Sequence, residues 1–243
     1  MEWITPDWPV PPAIKAVSTV RSGGVSAAPY AGMNLAAHVG DRPASVARNR
    51  SLLRQQLRLP AEPVWLRQVH GIRVVEADRT LPGEEADGSF TNRSSIVCAV
   101  MTADCLPVLL YERRSGIVAA IHAGWKGLAA GILQQAVDKV ADGDWVAWLG
   151  PAIGPEAFDV GDDVRAALLS RSDRVITAFR PNGAHRWHAD LYEIARILLR
   201  SYGVQQICGG GFCTFTDSNR FFSYRRDGVT GRMATLIWKS GNR

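Results

Sequence analysis
The chain has 243 residues, 47% of them hydrophobic and 21% charged, with a formal net charge of +5; that is the make-up of a globular protein with a sizeable core, and a single domain over residues 1–243 is expected. Arginines are scattered from Arg21 to Arg243, lysines number only four, and no basic helical stripe or nucleic-acid motif occurs, so the positive balance does not imply a nucleic-acid partner. No run approaches the roughly 20 apolar residues of a membrane span, the opening MEWITPDWPVPPAIK lacks the layout of a signal peptide, and Cys98, Cys105, Cys208 and Cys213 are too few and irregular for a disulfide scaffold. A cytoplasmic protein with free thiols and no membrane partner is expected.

In chain order, Val-, Ile- and Leu-rich runs at residues 15–20, 72–77, 95–101, 106–111, 116–121 and 145–149, each bounded by Gly, Pro, Asp or Asn, predict strands. Apolar spacing predicts helices over 43–58, 125–140 and 190–202. Residues 80–87 and 180–188 read as surface loops. Strands outnumber helices without strict alternation, which favours an α+β fold, mixed or antiparallel sheets covered by helices, over a doubly wound one.

Five histidines are few enough for their company to be informative. His70 closes WLRQVHG before a strand, Cys105 sits in MTADCLP between two strands, and His122 ends the strand GIVAAIH at the turn AGWKG. Residues at strand edges can converge at one end of a sheet. Two imidazoles and a thiolate suit zinc and leave a tetrahedral position open for catalysis. The spacing alone also fits a buried cysteine and unrelated histidines, and HExxH, paired CxxC and deaminase signatures are all missing.

The blocks VRSGGVSAAPYAGMNLAAHVGD, ARNR, RQVHG, ADGSFT, TADCLPVLL, AAIHAGWKGLAAGIL, LGPAIGPEAFDVGDDV and FFSYRRDGVTGRMATLIW resemble, in order, those of the laccase-domain or YfiH-like family, over nearly the whole chain. The resemblance implies zinc held by His70, Cys105 and His122, which would also be the catalytic centre. It further implies an α/β sandwich of mixed sheets like that of cysteine-hydrolase-like toxin domains. The implied activity is phosphorolysis of adenosine, inosine and methylthioadenosine, with adenosine deamination beside it and nucleoside and phosphate as small-molecule partners. Some members are described as peptidoglycan editing factors, which would make Cys105 a nucleophile and His122 its base. Copper remains an alternative metal, but five histidines are too few for a multicopper oxidase.

Around the centre, Arg50 could hold an anionic substrate group and Lys126, after Gly124 at a helix start, a phosphate; both also read as solvated. Asp104 reads first as structural. Arg21 with Gly23, Gly24 and Ser26 could cradle an anion or form a plain turn, and Asn34 and His38 in NLAAHVGD are candidates to line a cleft.

Overall fold
The computed structural model describes residues 2–241. A four-stranded antiparallel sheet runs in the order Trp3–Ile4, Ile14–Thr19, Met233–Lys239, Val97–Thr102. Facing it is a mixed six-stranded sheet ordered Gln206–Gly209, Trp145–Leu149, Leu106–Glu112, Val118–Ala123, Gly88–Thr91, Val74–Glu76, parallel only at its two outer pairs.

Side-chain alternation along the strands assigns them to layers. Cys98 and Val100 point between the sheets with Ile14, Ala16 and Ile237, meeting Leu109, Tyr111, Val118, Ala120 and Trp148. Val97, Ala99 and Met101 point the other way, under Met33, Leu35 and Leu53; the last belongs to the helix Pro43–Gln56. Leu106, Val108 and Leu110 face a helical layer containing Leu128, Ile132, Leu168, Ile194 and Leu198. Covered on both faces, the central strands are unbroken apolar runs rather than alternating ones. The α+β sandwich of mixed sheets and helices expected from the sequence is the observed architecture.

Local differences have physical causes. The single helix expected over 125–140 is two, Trp125–Ala130 and Ile132–Val137, because Gly131 adopts φ +100 and ends the first. The loop expected at 180–188 contains a turn between the paired strands Phe179–Pro181 and Arg186–Ala189, the latter also pairing with Asp159–Gly161. The loop expected at 80–87 ends on Asp87, which is fully buried.

Candidate metal centre and substrate cavity
The site is built where the chain passes between the sheets. Val97–Thr102 belongs to the four-stranded sheet and Leu106–Glu112 to the six-stranded one, so Cys105 lies at the crossover between them. Leu106 pairs with Ala123 and Pro107 with His122, which brings the end of Val118–Ala123 beside the crossover. His70 is not at a strand edge but in the irregular segment before Val74–Glu76. Its backbone is left-handed (φ +60), as is that of Asp104 (φ +97), a conformation that surrounding contacts must hold. The Asp104 carboxylate accepts from Thr214 Oγ1 (2.6 Å) and the Arg225 N–H (2.7 Å), and its carbonyl accepts from the Ile153 N–H (2.9 Å). Asp104 thereby fixes the turn that presents Cys105.

The donor atoms of His70, Cys105 and His122 all lie within 4.8 Å of one another, and Cys105 Sγ is 3.7 Å from His70 Nε2. Tetrahedral zinc separates a sulfur and a nitrogen ligand by about 3.5 Å, so the spacing suits a metal of that size. His122 is buried, Cys105 half-buried and His70 exposed; the open side of the cluster therefore faces the cavity. Glycine is required at 124, where an added Cβ would stand 2.9 Å from Cys105 Sγ and 3.1 Å from His70 Cδ2.

Asp87 organises the cluster. One carboxylate oxygen lies 2.8 Å from His122 Nδ1 and accepts from the His70 N–H (2.9 Å); the other accepts from the N–H groups of Gly71 (2.7 Å) and Val69 (3.2 Å). With Nδ1 engaged, Nε2 is the atom that His122 could offer to a metal, the usual arrangement when a carboxylate stands behind a metal-binding histidine. Burial disfavours the Cys105 thiolate, but His122 and His70 outweigh it and draw the thiol down to about 6. Burial likewise opposes the His122 imidazolium, yet the Cys105 thiolate and Asp87 push its pKa up to about 9.

A cavity of about 580 Å³ opens over the cluster, walled by Trp125, Phe158 and Tyr224 and bordered by Lys126, Arg225 and Arg232. None of these three cations makes an ion pair among the described residues. His38 and Met101 line this cavity and also a second one of about 470 Å³, which contains Arg50. Lys126 and His38 thus line the cavity of the His–Cys–His cluster, whereas Arg50 occupies the neighbouring lobe. Asn34, expected to line the cleft, is instead fully buried, donating to Ala36 O and Asp41 Oδ2 and accepting from the N–H groups of Ala36 and Arg232; every polar valence is used. In the turn expected as an anion cradle, the Arg21 guanidinium donates to the carbonyls of Ala31 and Ser218. Sequence reasoning missed Asp87, Arg225 and Arg232; the first was signalled only by an acid set directly before a strand in ADGSFT.

The family model described as multi-copper polyphenol oxidoreductase laccase matches residues 15–240. The chain belongs to this laccase-domain, YfiH-like family. It is 50% identical over 241 residues to a purine nucleoside phosphorylase of Pseudomonas aeruginosa, covering 97% of this chain and 98% of that protein. Over 238 residues it is 49% identical to the purine nucleoside phosphorylase YfiH of Escherichia coli, with 97% and 98% covered. A solved Neisseria meningitidis protein superposes with a TM-score of 0.94 at 47% identity, over 99% of this chain and 100% of that one. For YlmD of Geobacillus stearothermophilus the TM-score is 0.87 at 30% identity, over 95% and 93%. These relatives support an enzyme, and a His–Cys–His cluster able to hold a metal is present at its cavity. No described helix is long and apolar enough to cross a membrane.

Proposed function
We propose that this chain is a zinc-dependent purine nucleoside phosphorylase, acting in the cytoplasm as one domain, and converting adenosine, inosine and methylthioadenosine to the base and ribose-1-phosphate. The observation that carries it is the unpaired cationic border, Lys126, Arg225 and Arg232, of the cavity that holds the His70–Cys105–His122 cluster. Some arginines of the chain are neutralised by a carboxylate, as at Arg93–Asp78 and Arg186–Asp159; among the described residues these three cations are not, and they converge on one cavity with the cluster. Cations left unpaired in a cleft are what a phosphate co-substrate requires.

His70, Cys105 and His122 would hold the ion, and zinc when bound would supply a Lewis acid with one open position. Arg232 is fixed by donating to the carbonyls of Thr230 (2.8 Å) and Gly231 (3.0 Å), and Arg225 by donating to that of Asp159 (2.9 Å). With Lys126 they hold phosphate so that one of its oxygens reaches the sugar. That oxygen bonds C1′ as the C1′–N9 bond breaks; the base leaves with the electron pair and takes up a proton. Burial and the neighbouring Arg232 and Arg50 lower the pKa of His38, so at neutral pH it offers an uncharged ring to a ribose hydroxyl. The exposed side of the cluster also admits water, and adenosine deamination at the same centre is the second activity we assign to it.

One observation favours a different chemistry: a thiol drawn to about 6 beside an imidazole suits a nucleophile acting on an amide of a cell-wall precursor. His70 has no part in such a dyad, whereas it completes a three-donor cluster. Copper and phenol oxidation stand behind both, since copper would find only two imidazoles and one thiolate here. The deciding assay incubates the purified full chain with each nucleoside, with and without phosphate. Ribose-1-phosphate should form only with phosphate present; its absence at every zinc loading would overturn the assignment.

A further inference from the structure
The 470 Å³ lobe beyond His38 and Met101 has its own recognition group. Arg50 donates from Nε to Leu35 O (3.0 Å), and its guanidinium lies 4.3 Å from the centroid of the Trp65 ring. Trp65 is in turn pinned by donating from Nε1 to Glu62 Oε1 (2.7 Å). The plane of the guanidinium is therefore fixed, while both terminal nitrogens make no hydrogen bond and no ion pair among the described residues. Pro63, Leu66 and Pro82 make the walls largely apolar. A preformed apolar slot with one oriented polar fork is the make-up of a site for a flat heterocycle.

We propose that this lobe recognises the base of a 6-oxopurine nucleoside, with the end of the Arg50 fork donating to O6 and N7 while the ribose reaches past His38 and Met101 to the metal cavity; this rests on the phosphorylase reading above. A guanidinium matches the O6/N7 edge bidentately, whereas adenine turns an amino donor toward it at the 6 position. Glu62, exposed at the mouth of the lobe with Oε2 uncommitted, offers an acceptor to the N1–H that 6-oxopurines carry and adenine lacks. The same carboxylate disfavours a phosphate dianion here, and the other cation of the lobe, Arg67, is already paired with Glu85. As the glycosidic bond breaks, negative charge gathers on the purine at N7 and O6, so a fixed cation at that edge stabilises the leaving base more than the bound nucleoside. Deamination needs C6 at the metal and hence another pose, in which Arg50 takes no part.

The test compares wild type with Arg50→Gln and Arg50→Lys, both first shown to retain zinc and an unchanged thermal transition. The ratio of kcat/KM for inosine over adenosine should fall roughly 10- to 100-fold in both variants, because lysine restores the charge but not the fork. Calorimetric titration of zinc-loaded wild type should show hypoxanthine binding more tightly than adenine, a preference lost in both variants. Since that titration needs no turnover, it separates failure of this inference from failure of the phosphorylase assignment. Equal losses on the two nucleosides, a change confined to the KM for phosphate, or no preference of wild type for hypoxanthine would each overturn it.

Discussion

Asp87 and His122 are joined twice: the His122 backbone N–H donates to the Asp87 carbonyl (2.7 Å), and His122 Nδ1 lies 2.8 Å from Asp87 Oδ1. The first contact belongs to the sheet and the second to the site, so the strand pairing that builds the fold also aims the ligand. Asp87→Asn sets an NH2 group against some of the N–H donors of residues 69–71 or against the imidazole. Zinc affinity should fall by about 10- to 100-fold, read by competition with a chromophoric chelator; unchanged affinity in a folded variant would remove Asp87 from the metal's support.

Gly124→Ala places a methyl group against Cys105 Sγ and His70 Cδ2 at 2.9 and 3.1 Å. Neither neighbour is a flexible chain end, so the cluster has to open. Zinc content after dialysis should drop while the far-ultraviolet circular dichroism is kept. Full zinc occupancy would show that the crossover yields without cost.

In metal-free protein the Cys105 thiol is lowered from 9.0 to about 6, against burial, by His122 and His70, and His122 is raised from 6.5 to about 9, against burial, by Cys105 and Asp87. The depressed group stabilises the fold above its ordinary pKa, and that stabilisation disappears as pH falls through about 6; the raised group stabilises it below 6.5 and ceases to as pH rises through about 9. Thermal melting of metal-free wild type against Cys105→Ala should therefore differ most between pH 6 and 9. A difference independent of pH would argue against the thiolate–imidazolium pair.

Asn49, fully buried, accepts from the Val25 N–H (2.8 Å) and donates to Ser26 Oγ (2.9 Å) and to the carbonyls of Gly32 (3.0 Å) and Asn34 (2.9 Å). Asn49→Ala leaves those groups without their partner, at roughly 1–3 kcal/mol for a buried polar group left unsatisfied. Chemical denaturation should show the loss with zinc content intact. An unchanged midpoint would mean that water replaces the amide.

Layer architecture and the three cluster residues were legible because apolar runs and short motifs are local signals. Asp87 was not: one acid in a polar stretch looks solvated until strand pairing buries it beside His122. The break at Gly131 was hidden by a helical spacing that continues on both sides of it. The strands at 179–189 were hidden by Arg180, Arg186 and His188, whose polarity masks alternation in a small sheet that is exposed on one side. Arg225 and Arg232 were lost among many arginines, since only the fold shows which cations go unpaired. Asn34 misled for the opposite reason: an amide suited to a ligand serves as well to close a buried network with Asp41, Ala36 and the Arg232 backbone.

The most direct test is phosphorolysis by wild-type protein stripped of metal, before and after zinc is restored, with Cys105→Ala, His70→Ala and His122→Ala carried alongside. Activity should vanish with the metal, return with zinc, and stay absent in the three variants, which should also lose bound zinc. Full activity in metal-free wild type, abolished by a thiol-directed reagent and indifferent to His70→Ala, would contradict the metal centre and make Cys105 a covalent nucleophile.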